Sequence, residues 1–552
     1  MSVQHHWISE LVSHTSAMVL VGTAWLLRSA RAYTPASRGM TASRFAQGDD
    51  VYPAVHRSQV SRWESGHTEP TYELVRRYED LCGIPVGQLV TAVDLVYRHD
   101  RPRVHRPRLA RTLPDDRVAA AAPLLDACLT GEVLTGADWD FLSAAIADVP
   151  DVLAPRSVWA DLLRRLLTEL AASVGAPYLR RAEAVARLTG HPRARDAALE
   201  VVGDMLADPS AQVYAEAASM LAYFDHPGTA PMLQRVLRDP VSPNAARAAL
   251  FASATLLRER RADPDDAYAL VRRAHELSSD QRQPYRVRRS AADVLLALAP
   301  DSRERIASRM RTTPEALTVA SIVAGDGPMP PRVAAALRGR VLGHLRRSLG
   351  PEAAEDPDLV RLLRMVTLET NDDRRSHALE LLMVAPHGPA FGQAYTRELV
   401  DAASARDMVR VHETLAALVC LAQPGNIDTL LAIASRQGSL DLGPDAAIEA
   451  SWAVGNASLT DSDRQAAAAA IRTAVHDALT DVRPATPSLM EAWAYLSGRQ
   501  GLLDALEPPP RSTTSIQPAG PDASAVSAPA AWGDAVRWWS EQPQYVVAAA
   551  RE

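Results

Sequence analysis

Hydrophobic side chains recur at helical spacing from about residue 21 onward, and the first hundred residues contain no segment with the two-residue period of a β-strand. The clearest stripe places Leu74, Val75, Tyr78 and Leu81 on one face of a helix. Shorter stripes on either side, separated by glycines and prolines, predict five short helices between residues 21 and 98. The pattern therefore predicts a small all-α domain in this part of the chain.

From about residue 115 to residue 506, amphipathic helices alternate with proline, glycine and Asp-Pro breaks. Two pairs of segments repeat one pattern, a striped helix that stops at a proline and is followed by a shorter helix. Gln212–Gly228 resembles Met408–Gly425, and Arg286–Pro300 resembles Arg374–Pro386. One such hairpin cannot bury its apolar stripe, whereas stacked hairpins can. The pattern is similar to HEAT-type α-solenoid repeats, and an irregular helical bundle is the alternative.

Composition narrows the class of protein. Of the 552 residues, 47% are hydrophobic and 23% are charged, which is enough apolar surface for a core and excludes a wholly disordered chain. All 59 basic charges are arginine, as is typical of a high-GC bacterial genome. Cys82, Cys128 and Cys420 lie far apart, which excludes a disulfide framework and a cysteine-rich zinc site, and we expect no metal or cofactor. The longest early apolar run, Ala17–Leu27, is too short to cross a bilayer, so we expect a cytoplasmic protein without a membrane partner.

Charge is distributed unevenly along the chain. Between Val21 and Arg111 there are fourteen arginines and nine acidic residues, a balance of +5, whereas the whole chain carries −7. The remainder of the chain is therefore acidic. A weakly basic domain on an acidic body would orient the chain on a polyanion such as a nucleic acid. An ordinary solvated surface is the alternative explanation of the same counts.

One segment combines a specific residue pattern with a specific spacing. His56–Leu89 reads HRSQVSRWESGHTEPTYELVRRYEDLCGIPVGQL, and it is preceded by GMTASRFA at Gly39–Ala46. Its most specific part is VSRWESG, which ends at Gly66, with Pro70 four residues later. These motifs resemble the lambda-repressor-like (Xre-type) helix-turn-helix regulators. The resemblance covers residues 21–89 and implies that the helix before Gly66 enters the major groove of DNA.

The resemblance assigns roles to the free face of this recognition helix. Arg57, Ser58 and Arg62 occupy the positions that read bases in the family, and arginine can bond both acceptors of a guanine edge. Gln59 and Ser61 are expected to contact phosphate or to cap the helix.

The opposite face of the recognition helix is expected to be buried, and Val60 and Trp63 supply it at i, i+3 spacing. In the family, the glutamate that matches Glu64 often pairs with an arginine of the first helix, which here is Arg31 or Arg28. The stretch between Ala46 and Val60 is longer than the family's usual turn, which affects the angle at which the helix would enter the groove.

Further arginines are candidates for phosphate contacts. Arg38 and Arg44 lie beside the second helix of the motif. Residues 98–111, RHDRPRVHRPRLAR, contain prolines that predict an extended arm rather than a helix. Such an arm can enter a minor groove or follow phosphates, and a solvated interdomain linker is the alternative. The candidate arm residues are Arg101, Arg103, Arg106 and Arg108.

Together these patterns predict an all-α chain with five parts. They are a five-helix helix-turn-helix domain at 21–98, a basic Arg/Pro linker at 99–114, a HEAT-like body at 115–506, a disordered Pro/Ser/Ala-rich linker at 507–530 and a C-terminal aromatic tail at 531–552. The tail is expected to form a short helix with Trp532, Val536 and Trp539 on one face. The sequence leaves open whether that helix packs on the body or on a partner.

Three functions are compatible with this organisation. The leading one is a sequence-specific, dimeric transcriptional regulator that binds a palindromic site in double-stranded DNA, with a body that senses a protein or small-molecule effector. The chain lacks a glycine-rich phosphate loop, HExxH and GxSxG, so we expect no enzymatic activity. The alternatives are a HEAT-like DNA glycosylase that removes alkylated bases, against which the acidic body counts, and a protein-interaction scaffold with a degenerate helix-turn-helix.

Overall fold

The computed structural model describes residues 22–100, 109, 113–147, 149, 154–212, 214–221, 223–310, 314–369, 372–480, 482–503 and 527–552. All regular structure within these ranges is helical, which confirms the predicted all-α fold. Among the helices described, none is long and apolar enough to cross a membrane.

The N-terminal domain consists of the five helices that the sequence predicts. They are α1 (22–33), α2 (Ala42–Gln47), α3 (Arg57–Glu64), α4 (Tyr72–Cys82) and α5 (Gln88–Asp100), with a 3-10 turn at Pro35–Ser37 between α1 and α2. Threonine side chains cap two of these helices: Thr41 accepts from the Arg44 N–H at 3.2 Å, and Thr71 accepts from the Leu74 N–H at 3.2 Å. Gly83 ends α4 in the left-handed conformation, at φ 66°.

The core of this domain closes around Phe45, Val60 and Tyr78, all of which are buried. The rings of Phe45 and Tyr78 lie 4.3 Å apart between centroids. Trp63 is only half-buried and lies at the edge of the core, although its spacing predicted that it would share the buried face with Val60. The buried position at the end of α3 is taken instead by Glu64, whose carboxylate finds partners there.

The body begins after residue 113 and falls into two halves. The first comprises α6 (Arg117–Thr130), α7 (Gly136–Ile146), α8 (Arg156–Ala172), α9 (Gly175–Gly190), α10 (Arg195–Ala207), α11 (Tyr214–Met220), α12 (Thr229–Arg238), α13 (Pro243–Arg258), α14 (Pro264–Ser279), α15 (Tyr285–Leu295), α16 (Pro300–Met310) and α17 (Pro314–Ala324). The second comprises α18 (Pro331–Leu349), α19 (Pro351–Ala354), α20 (Pro357–Leu368), α21 (Asp372–Val384), α22 (Gly388–Ser404), α23 (Met408–Leu421), α24 (Ile427–Ala434), α25 (Pro444–Asn456), α26 (Asp461–Leu479) and α27 (Pro487–Arg499), with 3-10 turns at Pro424–Asn426 and Gly438–Leu440.

Helices of the body pack on their next-but-one neighbours, as stacked hairpins do. One layer of the first half runs through α11, α13, α15 and α17, and the corresponding layer of the second half runs through α21, α23, α25 and α27. A further layer contains α8, α10, α12 and α14. Sequential helices also pack on each other, such as α14 on α15 and α22 on α23. A domain of short helices followed by stacked helices is the arrangement that the sequence predicts.

All four repeat segments found in the sequence fall in the odd-numbered layers, on α11, α15, α21 and α23. One of them is shorter than expected. The stripe in Gln212–Gly228 predicts one helix, but α11 ends at Met220. Arg261 binds the chain just beyond this end, where its Nη1 donates to the carbonyls of Leu221 and Phe224, both at 2.9 Å. Carbonyls bound in this way are satisfied without helical partners.

The two halves of the body meet at a polar seam. Arg289 Nη1 lies 2.8 Å from Glu413 Oε1, and Asn244 donates to Glu491 Oε2 at 3.2 Å. Each pair joins one helix of the first half to one of the second, so the stack closes back on itself through charged and polar groups.

The C-terminal tail packs on the body, which answers the question that the sequence left open. It forms α28 (Ala528–Ser540), which lies on α27, and α29 (Gln544–Ala549), which lies on α8. Trp532 and Trp539 are buried, and the Trp539 ring covers Gly498 so closely that a Cβ there would lie 2.2 Å from the ring. Most of the predicted linker at 507–530 lies outside the described residues.

The N-terminal domain is packed against the body. Its α5 contacts α9 and α21, and its hydrophobic core is continuous with that of the second half of the body. Arg98 Nε donates to Glu183 Oε2 of α9 at 2.7 Å, with both side chains buried. Trp25 of α1 stacks on His387, with 6.0 Å between ring centroids. The orientation of the helix-turn-helix helices is thereby set relative to the body.

Candidate nucleic-acid interface

The predicted recognition helix is α3, and both of its ends are closed by local hydrogen bonds. His56 caps the first turn, with Nδ1 accepting from the Ser58 N–H at 3.3 Å, while Gln59 Oε1 accepts from the His56 N–H at 3.2 Å. Gln59 therefore caps the helix, which is one of the two roles expected for it. At the other end the Ser65 hydroxyl donates to the Ser61 carbonyl at 2.7 Å, and Gly66 adopts the left-handed φ of 73°.

Glu64 anchors the inner face of α3. Arg31 Nε donates to Glu64 Oε1 at 2.6 Å and Nη2 donates to Oε2 at 2.7 Å, while the Tyr78 hydroxyl donates to Oε1 at 3.0 Å. The structure thus forms the pair between Glu64 and Arg31 that the resemblance implies. Arg28 contributes as well, since its Nη1 donates to the backbone carbonyl of Glu64 at 2.8 Å. The hydrogen bonds that Arg31 donates to Glu64 raise the pKa of Arg31, and burial followed by the charge of Glu64 raises the pKa of Tyr78.

The outer face of α3 is polar and open. Arg57, Ser58, Ser61 and Arg62 are all exposed. Their i, i+3 and i, i+4 spacing places them together on one side of the helix. The Ser58 hydroxyl lies 2.7 Å from His56 Nδ1, so its orientation depends on the cap.

The arginines of the N-terminal domain divide into two groups. Those directed into the fold have protein partners: Arg28 and Arg31 bind carboxylates, Arg76 bonds to Glu79 and Asp80, and Arg77 bonds to carbonyls. The second group is exposed and, within the described part of the chain, makes neither an ion pair nor a side-chain hydrogen bond. Its members are Arg38, Arg44, Arg57 and Arg62. These four are the arginines of the described domain that the sequence assigned to DNA, and their guanidinium donors are open to an anion.

The long turn between α2 and α3 is held by a residue that the sequence analysis missed. Arg77 of α4 is buried, with Nη1 donating to the Pro53 carbonyl at 2.7 Å and Nη2 to the Phe45 carbonyl at 2.9 Å. Its guanidinium also lies over the Phe45 ring, 5.3 Å from the centroid. Burial lowers the pKa of Arg77. Arg77 thus binds the chain at both ends of the turn. The turn is longer than is usual in the family, yet α3 still packs beside α2.

Glu79 is a second residue that the sequence analysis missed. It is fully buried, and its carboxylate accepts from the N–H groups of Gly87, Leu89 and Val90 at 2.7, 2.7 and 3.0 Å. It therefore caps the start of α5, which is the helix that docks on the body. The sequence did contain a signal for both residues. Arg77 lies three residues after Leu74, and Glu79 lies four residues after Val75, so both fall on the face that α4 buries.

The candidate arm residues Arg101, Arg103, Arg106 and Arg108 lie outside the described residues. The two positions that flank them are attached to the fold in different ways. Arg98 belongs to the buried pair with Glu183, and the Leu109 N–H donates to Asp94 Oδ1 at 2.9 Å.

The described residues contain no group of three or more His, Cys, Asp or Glu side chains arranged to hold a metal ion. Cys82 and Cys128 are buried, and burial raises the pKa of each thiol to about 11. Thiols with such pKa values stay protonated at neutral pH and serve in packing.

Comparison with known proteins bears on the N-terminal domain alone. No curated protein matches the chain. Residues 30–89, from the last turn of α1 to the first turn of α5, match the model of the Helix-turn-helix family. The matched segment contains α2, α3 and α4, together with the four unpaired arginines. At this coarse level the match supports a DNA-binding regulator and identifies residues 30–89 as a helix-turn-helix segment.

Proposed function

We propose that this protein is a sequence-specific transcriptional regulator that reads double-stranded DNA with α3 and has no catalytic role. One observation carries the proposal: the only arginines of the described N-terminal domain that lack a protein partner are Arg38, Arg44, Arg57 and Arg62, around the exposed face of the helix-turn-helix. Unpaired guanidiniums beside a groove-sized helix are suited to phosphates and guanine edges.

The residues divide between reading bases and holding the backbone. Arg57, Ser58 and Arg62 face the base edges in the major groove, and one bidentate arginine–guanine contact contributes about 1–3 kcal/mol of discrimination. Arg38 and Arg44 flank the helix and bind phosphates, which set the register but carry no sequence information.

The proposal extends to assembly and control. One chain offers one recognition helix, so a dimer on a palindrome with half-sites about 34 Å apart doubles the contacts. The body, against which α1 and α5 are packed, supplies the dimer contacts or binds the effector. A ligand that shifts α9 or α21 would move α5, and with it the rest of the DNA-binding domain.

Selection from a random duplex pool, followed by binding of wild type and Arg62→Ala over a range of salt, tests this function. We expect a palindromic consensus, and we expect Arg62→Ala to relax one position of each half-site with an affinity loss of about 5- to 150-fold. Arg235→Ala is the matched control, because Arg235 is an exposed helical arginine on α12, far along the body. If binding depends steeply on salt but no consensus sequence is selected, sequence-specific recognition is wrong. If the protein binds no duplex at all, the alternative of a protein-interaction scaffold is favoured.

A further inference from the structure

The last turn of the recognition helix is bridged to α20 of the body by one arginine of α1. Arg28 makes the link with one guanidinium: Nη1 donates to the Glu64 carbonyl at 2.8 Å, and Nη2 lies 2.8 Å from Asp356 Oδ2 and 2.9 Å from Asp358 Oδ2. Glu64 is the last residue of α3, and Asp356 caps the first turn of α20. The start of α20 is thus within one side chain's reach of the recognition helix.

Two exposed arginines follow along α20. Arg361 and Arg364 lie one and two turns beyond Pro357, about 6 and 10 Å farther along the helix axis. Their i, i+3 spacing places them on one face, which we call the α20 basic surface. Neither forms an ion pair with another described residue, and the nearest preceding carboxylate, Asp358, is bound to Arg28.

The helix that packs beside α20 experiences a positive field from the same region. Burial lowers the pKa of Arg338 on α18, and the charge of Arg364 lowers it further. Positive charge here repels other positive groups, so an external anion would relieve it.

We infer that the α20 basic surface is a second DNA contact, at which the body itself binds the phosphate backbone beside the site that α3 reads. The inference rests on the proposed function. Its basis is the bridge that Arg28 makes between the ends of α3 and α20, together with two unpaired, exposed arginines within two helical turns of that bridge. The major groove is about 12 Å wide, so phosphates border an inserted helix at comparable distances. Arginine presents paired donors that match phosphate oxygens.

The test compares full-length wild type with the double variant Arg361→Ala/Arg364→Ala on the selected duplex, from about 50 to 200 mM salt. A matched control is available in Arg235→Ala/Arg238→Ala. Arg235 and Arg238 are exposed and lie at the same i, i+3 spacing on α12. Their substitution by alanine removes the same net charge. All four positions are on the surface, so both double variants are expected to melt with the wild type.

Two lost phosphate contacts should reduce the slope of log K against log salt by about 2. Over this range the wild type should therefore lose about tenfold more affinity than the α20 variant, and the base preferences should stay the same. The charge-preserving Arg361→Lys/Arg364→Lys variant should restore the slope. The control pair should leave it unchanged.

If the α20 variant keeps the wild-type slope, the second contact is wrong. It is also wrong if the α12 control loses as much slope as the α20 variant, because that would indicate a general effect of net charge. The proposed function fails by a different readout. If the wild type binds duplex but selects no consensus, sequence-specific regulation is wrong, whereas a reduced slope in the α20 variant would still establish the body as a phosphate-binding surface.

Discussion

Arg31 and Glu64 are joined by two parallel hydrogen bonds, 2.6 Å from Nε to Oε1 and 2.7 Å from Nη2 to Oε2, across 33 residues of sequence. The Arg31 side chain is 13% exposed and that of Glu64 is 7% exposed, so the pair is largely shielded from water. It connects the first helix of the domain to the last residue of the recognition helix. The position of α3 therefore depends on a contact that neither helix contains alone.

Arg31→Ala should destabilise the N-terminal domain by about 3–5 kcal/mol, because it leaves the Glu64 carboxylate buried with only the Tyr78 hydroxyl as a side-chain partner. Amide hydrogen exchange of α1 and α3 in the full-length protein measures the loss. The double variant Arg31→Ala/Glu64→Gln should recover part of it, since no buried charge remains. A single variant within about 0.5 kcal/mol of wild type would contradict a structural role for the pair.

Arg77→Ala should loosen the turn between α2 and α3. The carbonyls of Phe45 and Pro53 lose their donor, and each buried acceptor left unsatisfied costs about 1–3 kcal/mol. Amide hydrogen exchange over residues 46–56 should accelerate, and duplex binding should weaken because α3 loses its support. Arg44→Ala is the comparison for hydrogen exchange, since Arg44 is exposed and has no such bonds, and Arg235→Ala on α12 is the comparison for duplex binding. Wild-type exchange rates in Arg77→Ala would show that the turn is held by other contacts.

Stability should decrease as the pH rises from about 4.5 to 7, in part because of Glu491 at the polar seam. Burial raises the pKa of Glu491 to about 7, and the charge of Arg286 and the hydrogen bond from Asn244 only partly oppose this. With a folded pKa above the unfolded one, the unfolded chain ionises first, so the stability present at low pH is lost through this window. At pH 8 the folded protein holds a partly buried carboxylate whose charge is incompletely compensated.

Glu491→Gln should therefore match wild type at pH 4.5 and exceed its stability at pH 8 by about 1–3 kcal/mol. Thermal melts over this pH range provide the comparison. Glu355→Gln serves as the control, because the side chain of Glu355 is 66% exposed and should show no such divergence. Parallel curves for wild type and Glu491→Gln would show that Glu491 ionises normally in the folded protein.

Gly498→Ala should displace the C-terminal tail. A Cβ at this position would lie 2.2 Å from the Trp539 ring, so α28 must shift away from α27. Limited proteolysis should then cleave residues 527–552 faster than in wild type. Gly533→Ala is a matched control on α28 itself, because a Cβ there meets nothing within 4 Å. It should leave proteolysis unchanged and stabilise the helix by about 0.5–1 kcal/mol.

The candidate site could be predicted from the sequence as far as its local patterns reach. The stripe through Leu74 and Tyr78, the threonine caps and the stop at Gly66 all act within a few residues, so they define the helices before any packing is known. The exposure of Arg57 and Arg62 follows in the same way, because a helix that buries Val60 turns their positions outward.

Tertiary structure decided what depends on distant partners. Arg28 bonds to Asp356, 328 residues away, and no local pattern indicates which of many exposed acids an arginine will meet. The same holds for Arg261, which bonds to the carbonyl of Phe224, 37 residues away, beyond the end of α11, and for the packing of Trp539 on Gly498. Helical periodicity depends on neighbouring residues, and it can therefore be predicted from the sequence. The pairing of charges, the end of a striped helix and the docking of the tail depend on how the helices stack, and that is fixed only when the whole chain buries its apolar faces together.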